Sequence, residues 1–146
     1  TEFQLAIYDE CPASQSTILL RRAMMNIAQS IAMQNECKAL ITGEAVGQVA
    51  SQTLESLACT DDATSMPVFR PCIGFDKSEI VYRARQIGSY ETSILPYEDC
   101  CTIFTPKHPV TKPKLESIRK SQEAMPRWDE FVLAAVKNTE IEAVTP

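Results

Sequence analysis

Two adjacent thiols, Cys100 and Cys101, stand in the segment YEDCCTIFTPKHPVTKP, residues 97–113, with Glu98 and Asp99 just before them and Lys107 and His108 shortly after. A thiol does nucleophilic work as the thiolate, which neighbouring cations favour and neighbouring carboxylates disfavour. Both influences are present here, and the sequence leaves their balance open. Prolines at 106, 109 and 113 make the segment a loop. Adjacent side chains leave the backbone in different directions, so one thiol can face solvent while the other packs; two incidentally neighbouring buried cysteines are the plain alternative. Sequence neighbours have Cα atoms ~3.8 Å apart, short of the ~4.4–6.8 Å of an unstrained disulfide, so both thiols are expected reduced at rest.

A second place for chemistry is the turn TGEAVGQVASQ, residues 42–52. Gly43 and Gly47 let backbone approach a bound group closely, and Gln48, Ser51 and Gln52 offer donors and acceptors near a helix start whose free N–H groups favour anions. The spacing is neither a Walker A motif nor a Rossmann G-x-G-x-x-G, so a nucleotide-binding wall and an ordinary capped turn both fit. A third is Arg21-Arg22, early in a long helical stretch where the macrodipole disfavours cations. Either something anionic compensates them or they form an ordinary surface ion pair.

These residues need elements to hold them. Short β-branched or apolar runs alternate with segments of helical period, which predicts an α/β fold with parallel strands. Phe3–Tyr8 reads as a strand. From Thr17 to Cys37, Leu20, Met24, Ile27, Ala28 and Ile31 recur on one helical face, which places the methionines in the core. Ala39–Thr42 reads as a short strand ending at Gly43, with a helix following over Val49–Leu57. Val68–Arg70, flanked by prolines, is strand or extended chain. Asp76 with Glu79 matches an N-terminal capping box, Ile80, Val81, Ala84 and Ile87 form a stripe to be buried, and Gly88 is placed to end the helix. Helices are expected at Lys114–Ala124 and Arg127–Lys137, and Ile141–Val144 as a final strand. In an open α/β sheet ligands collect outside the carboxyl ends of the strands, where the 42–52 turn would lie.

A chain of 146 residues is long enough to bury a core without disulfides or metal. Its 14 basic and 19 acidic side chains give a net charge of −5, the wrong sign for a domain holding nucleic acid by phosphate neutralisation alone. Residues 107–125 run against that balance with Lys107, Lys112, Lys114, Arg119 and Lys120, a segment that either touches a polyanion or is a solvated face. The six cysteines include no C-x-x-C and the single histidine is His108, so zinc spacings are absent and no protein-bound metal is expected. Cys11, Cys37, Cys59 and Cys72 read as small buried hydrophobes of a reducing, cytoplasmic compartment. No apolar run reaches the ~18 residues of a membrane span, so no membrane association is expected. The chain opens at Thr1 rather than Met, as an excerpt from something longer would.

Taken together, TGEAVGQVASQTLESL, RPCIGFDKSEI, ILPYEDCCTIFTPKHPVTKPKL and NTEIEAV resemble the ThiI family of tRNA 4-thiouridine synthetases, along essentially all of the chain. The resemblance implies a three-layer parallel sheet of the adenine-nucleotide α-hydrolase-like, PP-loop ATP pyrophosphatase type. It implies ATP, brought as its magnesium complex, adenylating the uridine at position eight of tRNA, followed by replacement of the activated oxygen with persulfide sulfur. The same relay serves thiazole synthesis for thiamine. Carried over by position, the nucleotide contacts fall on Arg21, Gly43 and Gln52, and the cysteine that receives or resolves the persulfide on Cys101, with Cys100 as the fallback.

The family's S-G-G-x-D-S loop is not found, since the glycines at 43, 47, 74 and 88 are never adjacent. The resemblance therefore implies the C-terminal portion of the domain, without its first strands and phosphate loop. Residues 1–146 would form that portion, binding ATP poorly alone. The partners implied are tRNA, held mainly by preceding domains, and a cysteine desulfurase as persulfide donor; an exposed sheet edge would invite a homodimer. A stand-alone persulfide carrier or redox protein built on Cys100–Cys101 is the alternative function, which ATP dependence would exclude. Arg21, Gly43 and Gln52 are expected to converge on one pocket at the strands' carboxyl ends.

Overall fold

The computed structural model describes residues 2–96, 106 and 108–144. In chain order the described elements are α1 (Glu2–Glu10), α2 (Ser16–Gln34), β1 (Leu40–Ile41), α3 (Leu54–Asp61), β2 (Val68–Phe69), α4 (Lys77–Gln86), α5 (Tyr90–Ser93), α6 (Leu115–Glu123) and α7 (Trp128–Lys137). Short 3₁₀ turns at Ala13–Gln15 and Ala50–Gln52 precede α2 and α3. β1 and β2 are parallel, with Leu40 opposite Val68 and Ile41 opposite Phe69. The Leu40 amide donates to the Pro67 carbonyl at 2.9 Å and the Thr42 amide to the Phe69 carbonyl at 3.0 Å. The described part is thus an α/β arrangement: a small parallel sheet, its strands joined through α3, among many helices.

Two apolar clusters hold it. Ile7, Cys11, Ile18, Leu19, Ala23, Cys59, Ile118, Met125, Trp128 and Val132 join α1, α2, α3, α6 and α7, while Met25, Ala32, Leu40 and Ala63 seat α2 on the sheet. α2 is therefore packed along more than one face. This corrects its expected phase: Met25 is buried, but Met24 is 57% exposed.

Four further expectations change. Phe3–Tyr8 is helical, not a strand. On a helix Phe3 and Ile7 share a face, and Phe3 stacks on Phe131 at 4.8 Å between ring centroids and meets Trp128 edge-on at 5.0 Å. Those contacts from α7 make the helical period the one that buries the apolar side chains. The helix expected over Val49–Leu57 starts later, because Thr53 is extended and caps α3, its hydroxyl oxygen accepting from the Ser56 amide at 3.2 Å. The box at the start of α4 forms, with the Asp76 carboxylate accepting from the Glu79 amide at 2.9 Å and the Glu79 carboxylate from the Asp76 amide at 2.9 Å. Gly88, at φ 73°, follows that helix. The α4 stripe, however, is only half-buried, and Ile87 is 78% exposed. Residues 141–144 are exposed and form no strand.

Candidate functional site

β1 ends beside β2, so the residues following each strand are neighbours although 26 positions apart: Glu44 follows β1 and Arg70 follows β2. Glu44 is buried. One of its oxygens, Oε1, pairs with Nη2 of Arg21 from the second turn of α2. The other, Oε2, accepts from Arg70 Nε at 2.6 Å and from the Thr42 hydroxyl at 2.8 Å. Arg70 continues outward, its Nη2 pairing with Asp61 at the end of α3. Arg21 also donates from Nη1 to the Ser51 hydroxyl at 3.3 Å. A buried carboxylate is stable only when its oxygens are paired and hydrogen-bonded, and two guanidiniums and a hydroxyl do that here.

Gln52 closes the turn that carries Glu44. Its side-chain oxygen accepts from the Ala45 amide at 3.3 Å and its backbone carbonyl from the Gly47 amide at 3.1 Å. Gly47 takes φ 78°, the left-handed conformation that glycine adopts without strain. Gly43 is exposed, and a Cβ added there would meet no protein atom within 4 Å. Its backbone is thus open to close approach from outside. The structure therefore brings Arg21, Gly43 and Gln52 around one turn at the carboxyl end of β1.

Arg22 has a different task. It is 4% exposed and reaches into the core, where its Nε donates to Gln122 Oε1 at 2.6 Å, and its Nη1 to Asp62 at 3.0 Å and to the Cys59 carbonyl. Asp62 in turn pairs with Arg119 of α6. The two arginines are therefore not alike: Arg22 is a buried cross-tie and Arg21 faces the turn. Glu44, Arg70 and Asp61 are not singled out by the spacing of the sequence. The available signal was that two parallel neighbours set their carboxyl ends side by side, which makes the residue after each strand part of one site.

Cys100, Cys101 and Lys107 lie outside the described residues, and His108 is exposed. Of the other thiols, Cys11 and Cys59 are buried, and burial is the main cause that raises both above the ordinary thiol range. Cys72 is half-buried, and Cys37 is exposed against expectation, lying past the end of α2. Among the described residues no group of three or more His, Cys, Asp or Glu could hold a metal ion, and no helix is long and apolar enough to cross a membrane.

A parallel strand pair joined through a helix, with a polar, glycine-bearing turn at its carboxyl end, defines an α/β protein of the kind that gathers ligands at strand ends. Residues 1–126 match the family model described as thiamine biosynthesis protein (ThiI), and the chain belongs to that family. It is 55% identical over 145 residues to a probable tRNA sulfurtransferase of Acetivibrio thermocellus, an alignment covering 99% of this chain and 37% of the relative. It is 62% identical over 125 residues to another probable tRNA sulfurtransferase, from Caldanaerobacter subterraneus subsp. tengcongensis, covering 86% of this chain and 33% of the relative. A solved 4-thiouridine synthetase, in complex with RNA and with bound ATP, superposes with a TM-score of 0.91 at 42% identity, over 97% of this chain and 37% of that one. The chain thus spans about a third of the length of the curated relatives it matches.

Proposed function

We propose that the polypeptide carrying these residues is an ATP-dependent tRNA sulfurtransferase that forms 4-thiouridine. Residues 1–146 would make the C-terminal portion of its PP-loop ATP pyrophosphatase domain, completing a three-layer parallel sheet. The observation that carries this reading is the gathering of Arg21, Gly43 and Gln52 around one turn at the end of β1. Its support is the 0.91 superposition on a 4-thiouridine synthetase solved with RNA and ATP.

In this reading Arg21 supplies positive charge to the nucleotide, Gly43 lets the backbone come against it, and Gln52 holds the turn. ATP enters as its magnesium complex and transfers its adenylyl group to the uridine oxygen, releasing pyrophosphate. Sulfur then arrives as a persulfide made by a cysteine desulfurase. Its terminal sulfur bonds to the activated ring carbon as AMP leaves. A second thiol attacks the remaining sulfur–sulfur bond, which frees the thiolated base and leaves a disulfide, so the persulfide's oxidising equivalents end in that bond. Cys101 is the thiol that receives or resolves this sulfur, with Cys100 as the fallback. Relay of sulfur to thiazole synthesis for thiamine, in the cytoplasm, belongs to the same reading.

The test is 4-thiouridine in tRNA from cells whose full-length protein carries Cys101→Ser or Cys100→Ser. Loss with the first and retention with the second is the expected result, and the reverse moves the chemistry to Cys100. Thiolation by the purified protein without ATP would refute the reading in favour of a plain persulfide carrier.

A further inference from the structure

Arg21, Glu44, Arg70 and Asp61 form one row of alternating charge, and the row is buried in its middle and open at its ends. Side-chain exposure runs from 22% at Arg21 through 7% at Glu44 and 12% at Arg70 to 48% at Asp61. Asp61 is nearly half exposed, so its pairing is screened, while the buried Glu44 has to answer two guanidiniums. Arg21 stands at the turn end of the row, its guanidinium held by Glu44 and by the Ser51 hydroxyl. Glu44 also sits within that turn, between Gly43 and Ala45, and the Ala45 amide is the one that Gln52 accepts. One carboxylate thus touches or adjoins each part of the site gathered at the end of β1.

We infer that Glu44 is a positioning residue for nucleotide binding: held by Arg70 and the Thr42 hydroxyl, it aims the Arg21 guanidinium at the phosphates of the nucleotide without touching the nucleotide itself. The inference rests on the nucleotide-binding reading of the turn. Buried ion pairs contribute weakly to stability compared with apolar packing, so fold stability alone is a poor reason to place three charges here. Aiming a fork-shaped donor is a better one, because guanidinium–phosphate bonds depend on direction.

The experiment measures ATP affinity by calorimetry on the full-length protein, together with KM and kcat for ATP in tRNA thiolation and the urea midpoint. The variants are Glu44→Gln, Arg21→Ala and their combination. Glu44→Gln keeps the shape and an acceptor but removes the charge; ATP affinity should fall roughly tenfold and KM rise to match, with kcat at saturating ATP within about threefold. The double variant should bind no worse than Arg21→Ala, since Glu44 acts through Arg21. Affinity within about twofold of the unaltered protein for Glu44→Gln, while Arg21→Ala weakens, overturns the inference and leaves the nucleotide reading intact, and so do independent, additive losses. Absence of ATP binding by the unaltered protein overturns both. If Glu44→Gln lowers the urea midpoint enough to prevent assay, Arg70→Lys takes its place. Lysine keeps the charge but cannot reach Glu44 and Asp61 together, so ATP affinity should fall in the same direction, and an unchanged affinity overturns the inference.

Discussion

Replacing Asp62 with alanine should loosen the helical half of the molecule far more than its position at the end of α3 suggests. Its Oδ2 accepts from Arg22 Nη1 at 3.0 Å and from Arg119 Nε at 3.0 Å, tying α2, α3 and α6. The Arg119 hydrogen bond is the larger cause that lowers the Asp62 carboxyl, yet the Arg119 side chain is 54% exposed and its pairing is screened by solvent. Arg22 decides the outcome because it is the charge left buried. Losing one partner of a buried pair costs ~3–5 kcal/mol. Arg22 would keep the Cys59 carbonyl and Gln122, which puts the loss near the lower end, about 3 kcal/mol. Since ~1.4 kcal/mol is a factor of ten, amides of α2 and α6 should open on the order of 100-fold more often. Hydrogen–deuterium exchange resolved to peptides reads this directly in the full-length protein. Arg119→Ala should accelerate exchange only several-fold. Arg22→Met combined with Asp62→Leu should recover most of the protection, because the penalty comes from an unpaired charge rather than from lost packing. Exchange in Asp62→Ala within about threefold of the unaltered protein, or equal to that in Arg119→Ala, would refute the reasoning.

The same pair sets an acid response: the Asp62 carboxyl is lower when folded than when unfolded, so its stabilisation is complete above the ordinary carboxylate pKa of ~4 and is lost as pH falls through the lowered value. Protection of α2 should therefore hold from neutral pH to about 5 and fall only in stronger acid, and Asp62→Asn should lack that component. Gly47→Ala forces a side chain into φ 78° and should strain the turn by ~1–2 kcal/mol, visible as faster exchange at residues 45–52. Gly43→Ala meets no protein atom within 4 Å and should leave the urea midpoint unchanged while weakening ATP binding; unchanged binding would remove Gly43 from the site. Among the described thiols, Cys37 should react first with iodoacetamide, and Cys11 and Cys59 only as the core opens, which mass spectrometry of labelled peptides checks.

Much was legible in the residues themselves where the signal is local. The Asp76–Glu79 box needs only four consecutive residues and their own backbone, and it forms as the spacing predicts. Ala39–Thr42 and Val68–Arg70 are short β-branched or apolar runs bounded by turns, and β1 and β2 fall inside them. The motifs that carry the family resemblance were equally open to reading, because their order along the chain is itself sequence.

What the sequence could not determine were features that depend on a distant partner. Phe3–Tyr8 suits strand and helix alike until Phe131 and Trp128, over a hundred residues on, stack against Phe3 and select the helical period. The phase of α2 was ambiguous because a helix covered on several sides has no single apolar stripe, and Arg22 enters the core only because Asp62 and Gln122 are there to meet it. The α4 stripe kept its spacing but not its burial, since periodicity proposes a face and only a packed neighbour covers it. Local spacing thus determined the capping box and the two short strands, and the ordered motifs carried the resemblance to the family. Parallel pairing of β1 and β2 decided that Glu44 and Arg70 meet, and with them the charge row that ends at Arg21, because a carboxylate can be buried only where the fold brings it enough cations and donors.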